Sequence, residues 1–305
     1  MFKLRNWIQS DKLDWSYLSG NPYAFPLLEQ HIDKIEWAWL SLNSNAVHIL
    51  EQHLDKEGCW EFMSANINAI HLLETNLDKV VWFYLSRNPN AIRILEQHLD
   101  KVNWYALSEN PNAIHILEQN LDKVDWSSLS KNPNAIRILE QHLDKVDWFW
   151  LSHNPSAIPI LEQHLDRVDW LSLSDNPNAI HLIETNLDKV NWHYLSLNPN
   201  AIPILEQHLD RVDWLAMSQN PFTIHSLEQH QDRVDWRLLS ANPNAITILE
   251  KNLDKVDWQV LSLNSNLFDY DYEGMKATRD PITRELMAER FHPKHIHQFE
   301  DWGFD

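Results

Sequence analysis

Apolar and polar positions recur along this chain with a period of 22 residues. Residues 146–167, "VDWFWLSHNPSAIPILEQHLDR", are followed from Val168 by "VDWLSLSDNPNAIHLIETNLDK". Alignment on tryptophan gives Trp15, Trp37 and Trp60, then a Trp every 22 residues from Trp82 to Trp258, with one residue inserted near "KEGC" at 56–59. Self-similarity at such a period predicts a solenoid, in which each unit buries its apolar face only against its neighbours. The unit reads W-x-x-L-S-x-N-P-N-A-I-x-I-L-E-Q-H-L-D-K-V-D.

Two helix starts fall in each unit. Asp147 can accept from the first N–H groups of a helix opening at Trp148, with Val146 and Leu151 placed as a hydrophobic staple. Asn154 can cap a second element with Pro155 in its first position. Ile158, Leu161 and Leu165 then make one apolar stripe at i, i+3 and i+7. Pro26, Pro159 and Pro203 lie about a turn inside that element, where proline breaks a helix. The N-P-N-A segment is therefore expected to be a loose or 3₁₀ turn, with regular α-helix beginning later. The expected fold is all-α: a single elongated, superhelical α-solenoid of two-helix units, each a short α or 3₁₀ helix plus an α-helix. Its expected divisions are an N-terminal cap over 1–14, about 11–12 units over 15–266, and a C-terminal helical cap or docking segment over 267–305. With layers roughly 8–10 Å apart, the rod would be on the order of 100 Å long.

Ser152, Asn154, Glu162 and Asp166 recur at equivalent places in every unit that reaches them. With Trp148, Leu151, Ile158 and Leu161 they are read as structural residues: caps, core and solvated charge rows, the acids partly neutralised by neighbours such as Arg167.

The units "NPNAIHILEQNLDKVDWSSLS" resemble the short tandem repeats of uncharacterised proteins of giant DNA viruses of amoebae, as do the start "LRNWIQSDKLDWSYLS" and the close from "NLFDYDYEGMKATRD" onward. That family implies no established activity; it implies an intracellular protein of an infected host cell, in its cytoplasm or in the virion. The N-P motif and short helices are also similar, more loosely, to leucine-rich variant repeats, which alternate α and 3₁₀ helices.

Composition narrows the function classes. With 44% hydrophobic residues and 16 Trp the chain folds, and a formal charge of −19 repels phosphate backbones and anionic lipid. Cys59 is the sole cysteine, so no internal disulfide is possible. The N-terminal residues resemble neither a signal peptide nor a membrane span, which points to a reducing, intracellular setting rather than secretion.

Histidine is the first candidate for chemistry. His31, His53, His98, His142, His164, His208 and His230 share one repeat position; His48, His71, His115, His181 and His225 share another. Layers 8–10 Å apart cannot place two equivalent imidazoles on one zinc, and the two positions within a unit are off the i, i+4 metal spacing. His292, His295 and His297 are better spaced, although a polar helix start explains them as well. No metal or cofactor is expected. Repeated carboxylates share one environment, so none is singled out for acid–base work. Nucleophile, phosphate-loop and metalloprotease signatures are missing, so enzymatic activity is not expected.

Variation along the repeat carries more. The two residues after each repeat Trp differ from unit to unit and include Tyr17, Trp39, Phe62, Phe83, Tyr84, Tyr105, Phe149, Trp150 and Tyr194. Scatter at these positions suggests exposure, and exposed aromatics anchor protein interfaces; packing against the next layer is the competing role. The function expected is a non-enzymatic protein-binding scaffold, with a self-associating or capsid-contacting structural rod as the alternative. At the ends, Phe2, Leu4, Trp7 and Ile8 are expected to cover the first layer. The tail is expected to form an acidic aromatic turn, a helix over Pro281–Phe291 and another over Pro293–Trp302.

Overall fold

The computed structural model describes residues 2–56 and 58–285. Unit 7, which begins at Trp148, shows how the repeat folds. Asp147 Oδ1 accepts from the N–H groups of Phe149 and Trp150 at 3.1 and 3.3 Å and opens the first helix, Trp148–His153. Asn154 leaves that helix in an extended conformation, and its Oδ1 accepts from Ser156 N–H at 3.0 Å. Ala157 N–H donates to Asn154 O at 3.0 Å, which makes a tight turn through Pro155, as expected. The second helix, Ile158–Gln163, starts only after that turn. Pro159 is therefore its second residue, where an absent N–H removes no helical bond.

The second helix ends at His164 after six residues. That length corrects the expected stripe: Ala157, Ile160 and Leu161 are buried, Ile158 is half-buried, and Leu165 is 44% exposed. The i+7 position lies beyond the helix, so helical periodicity no longer governs where it points.

The invariant Ser and Asn are the ties between units. Asn154, itself buried, donates through Nδ2 to the carbonyls of Ser130 and Asn132 in the preceding unit, at 3.0 and 3.1 Å. Ser152 Oγ donates to Trp148 O at 2.7 Å and accepts from Asp169 N–H of the following unit at 3.0 Å. Each side chain thus satisfies backbone groups on both sides of a joint, and a shorter or apolar replacement leaves them unpaired.

The expected α-solenoid is present; its expected elongation is not. Across the chain ends the same ties recur: Asn21 Nδ2 donates to Ser262 O and Asn264 O at 3.2 and 3.0 Å, and Asp14 N–H donates to Ser262 Oγ at 2.8 Å. Unit 12 is thus joined to unit 1 by the same side-chain ties that join successive units. The solenoid is a closed ring of twelve units, each turning the chain by about 30°. Its curvature has a visible cause, because the first helices of neighbouring units pack directly on one another at most joints while the second helices stand further apart. The first helices therefore form the inner row and the second helices the outer. The spacing expected to give a long rod gives a circumference on the order of 100 Å instead.

Unit 12 is assembled from both ends of the chain. Its first helix is Trp258–Leu261, and the turn that should follow its second helix is supplied by the 3₁₀ helix Ser10–Lys12 and Leu13. Lys12 Nζ lies 4.8 Å over the Trp258 ring, as Lys145 Nζ does over Trp126. In place of a second helix stands a pair of antiparallel strands, β1 (Phe2–Leu4) and β2 (Phe268–Tyr270), in the register Phe2↔Tyr270 and Leu4↔Phe268. The segment expected to cover a free first layer closes the seam instead: Ile8 and Leu13 are buried and Trp7 packs 6.3 Å from Trp258.

Beyond β2 the expected turn is helical. Asp271 caps a helix over Tyr272–Glu285 by accepting from Gly274 N–H at 3.1 Å, so this helix starts at Tyr272 rather than Pro281 and carries Pro281 inside it. The expected helix over Pro293–Trp302 and the three C-terminal histidines lie outside the described residues.

Candidate protein-binding face

Every first helix runs Trp, two variable residues, Leu or Met, Ser, a third variable residue and Asn. At 100° per residue, the first and fifth residues after the Trp point about 160° away from the fully buried Leu, and the second about 100° away. In an inner row with its core on the outside, the first and fifth positions therefore face the ring axis. Twelve helices spaced about 8–10 Å apart close at roughly 30–40 Å across their axes. A helix radius of about 5–6 Å on each side leaves a bore of about 20–25 Å.

The candidate aromatics divide by position. At the first position Tyr105 and Phe149 are exposed, with Leu171 and Leu215 beside them in the same row, and Phe83 is half-buried. At the second position Trp39 is 43% exposed, while Tyr17, Phe62, Tyr84, Trp150 and Tyr194 are half-buried. These second-position rings touch across units: Tyr17 lies 5.9 Å from Trp39 and Phe62 lies 6.0 Å from Tyr84. Where the position is small, as at Ala106, Ser128, Ser172 and Ala216, the residue is buried. The second position thus belongs partly to the joint between units, and the first belongs to the bore.

Sequence reasoning missed the fifth position, although its residues vary as much as the other two. Here Glu109 bridges Arg87 and Lys131 of the flanking units, with Lys131 Nζ at 3.0 Å. Lys131 Nζ also lies 3.7 Å over the Trp150 ring. Two units on, burial pushes the Asp175 carboxyl up, and His153 Nδ1 at 3.8 Å offsets part of the rise. Helical spacing was the available signal, since residues three and four apart share a face.

Charge is distributed unevenly. The three variable positions carry three acids, Glu61, Glu109 and Asp175, and three bases, Arg87, Lys131 and Arg237. The large negative charge comes instead from the repeated Glu of the outer row and the repeated Asp of the turns. A further circle of carboxylates caps the inner helices: Asp14, Asp125, Asp147, Asp169, Asp213, Asp235 and Asp257 accept backbone N–H groups, and Glu36 stands in the same place in unit 2. Three of the second oxygens are engaged by first-position side chains: Ser127 Oγ donates to Asp147 at 2.9 Å, Gln259 Nε2 donates to Asp14 at 3.3 Å, and His193 Nδ1 lies 2.7 Å from Asp213. At Asp213 burial acts upward, but the contact with His193 and the N–H groups of Ala216 and Leu215 outweigh it and hold the carboxyl below its usual range.

The histidines have structural partners. Those at the end of the second helix stack on the Trp of their own unit, as His142 does 5.1 Å from Trp126, and a Lys or Arg lies over the same ring. Four of the others, His48, His71, His115 and His181, contact the Glu of the preceding unit, as His181 Nε2 does 2.7 Å from Glu162 Oε1; His225 instead contacts Gln229 of its own helix. Among the described residues no group of three His, Cys, Asp or Glu could hold a metal, and no helix is long and apolar enough to cross a membrane. Cys59 is buried, and desolvation pushes its thiol up, away from the reactive thiolate.

No family model, curated protein or solved structure matches this chain.

Proposed function

We propose that the protein is a non-catalytic binding ring that recognises a protein partner through the variable side chains of its inner wall. The observation that carries this reading is the segregation of variability: the outer row repeats nearly the same letters, while the bore presents a different set in each unit with exposed Tyr105, Phe149, Leu171 and Leu215. A repeated frame with a variable face is how repeat scaffolds encode specificity, and large apolar side chains left in water mark interfaces. Closure disfavours the alternative of a structural rod, because each end is occupied by the other and offers no face for end-to-end growth. An intracellular setting, in the host cytoplasm or a virion as the viral resemblance implies, agrees with the single buried thiol. Excess negative charge disfavours nucleic acid and anionic membranes.

The test is affinity capture with the tagged ring in three forms: the natural sequence, an inner-wall variant carrying Tyr105→Ser, Phe149→Ser and Leu215→Ser, and an outer-row variant carrying Glu96→Gln, Glu140→Gln and Glu162→Gln. The reading expects one defined partner to be lost from the inner-wall variant and retained by the outer-row variant. The reverse pattern sinks it.

A further inference from the structure

Resting on that reading, we infer that the bore takes a single basic polypeptide segment, rich in Arg and Lys, passed through the ring. Size sets the first limit. A bore of about 20–25 Å, narrowed by aromatic side chains, admits an α-helix of about 10–12 Å or an extended chain and excludes a folded domain of about 30 Å. Charge sets the second. The wall itself is balanced, so the charge a guest meets is that of the circle of helix-capping carboxylates concentric with the bore. The carboxylates of this circle flank whatever fills the bore, and four of them, Asp125, Asp169, Asp235 and Asp257, have no side-chain donor on the second oxygen among the described residues. These are within reach of a guest, whereas the outer acids lie beyond a screening length of about 8 Å at physiological salt.

The wall chemistry sets the third limit. Exposed Trp39, Tyr105 and Phe149 offer ring faces for guanidinium or ammonium groups. The protein already uses that contact on its own behalf: Lys131 lies 3.7 Å over Trp150, and Arg167 and Arg211 each lie 4.3 Å over a repeat Trp. An acidic or neutral guest would forgo both the carboxylate circle and these ring faces.

The experiment uses the intact ring and a fluorescein-labelled peptide of alternating Arg, Ala and Phe residues, in two forms: free, and with a small folded domain fused at each end. A Glu-for-Arg peptide is the charge control. Anisotropy is expected to show binding of the free basic peptide, none of the Glu peptide, and association of the doubly capped form slowed at least about tenfold, because the caps exceed the bore. Phe149→Ser with Tyr105→Ser should weaken the free peptide by roughly tenfold. Equal association of capped and free peptides would overturn threading, and equal binding of both charges would overturn the basic guest. If no basic peptide binds while the inner-wall variant still loses its captured partner, this inference falls and the protein-binding reading stands. If that variant loses nothing, both fall.

Discussion

At the joint between units 6 and 7, Asn154 reaches the carbonyls of Ser130 and Asn132; at the joint between units 12 and 1, Asn21 reaches those of Ser262 and Asn264 at nearly the same distances. The first joint is also crossed by the polypeptide, and its outer row is a pair of helices. The second is crossed by no peptide bond, and strands β1 and β2 stand where a helix would be. Identical local bonds thus serve two different ends: inside the chain they set the angle between units, and at the seam they act with the strand pair to keep the ring shut. A strand pair suits the seam because strands from opposite ends of the chain can share hydrogen bonds, whereas a helix must be built from one continuous segment.

Removing residues 2–13 should have the largest effect on this comparison. It strips away β1, the buried Ile8 and Leu13, and Lys12 from Trp258, and so exposes Leu267 and Phe268. Lost burial on the order of 5 kcal/mol at one joint is expected to open the ring while units 2–11 stay folded. Small-angle scattering should report a larger radius of gyration with helical circular dichroism largely kept; an unchanged radius would mean that the seam does not hold the ring closed. Conversely, a cystine from Lys3→Cys and Asp269→Cys, across paired strands, should make closure permanent.

Single ties come next. Asn132→Ala inside the chain and Asn21→Ala at the seam each unpair two carbonyls and an N–H group, at a cost of about 2–3 kcal/mol. The interior change should lower the whole unfolding transition. The seam change should appear chiefly as faster amide exchange near Leu267 and Phe268. Equal exchange profiles for the two variants would show that the seam is as strongly held as the interior. Glu109→Gln is smaller, about 1–2 kcal/mol, since it leaves Arg87 and Lys131 facing one another without the acid between them.

The unit was legible in the sequence because its signals are local: a capping Asp before Trp148, an Asn-Pro turn, and proline placed where only a late-starting helix tolerates it. Closure was not, because periodicity fixes how units repeat and leaves open the angle between them. That angle depends on how closely the inner and outer rows pack, which is a tertiary property. One clue was present all the same. Asp11-Lys12-Leu13-Asp14 repeats the Asp-Lys-Val-Asp ending of a unit, and the repeats stop at Asn266 after the first half of one, so the repeat array opens and closes on complementary halves. The binding face was half legible: variability picked out the first and second positions, but only the ring shows that the first faces the bore while the second is shared with the joint.

Two wall carboxyls sharpen the comparison most finely, since they differ only in which influence wins. At Asp175 desolvation prevails over His153, so the folded protein holds that proton more tightly than the unfolded chain does. Its ionisation costs stability, and the site favours folding as pH falls through the raised value. At Asp213 the contact with His193 and two backbone N–H groups prevail over burial. This site contributes stability above the usual aspartate range and loses it as pH falls through the depressed folded value. Carboxyl resonances followed by NMR should therefore place Asp175 above Asp213. His193→Ala should raise Asp213, and His153→Ala should raise Asp175 further, because each imidazole favours the charged form of its partner. If His193→Ala leaves Asp213 in place, the backbone N–H groups of Leu215 and Ala216 alone hold that carboxylate down.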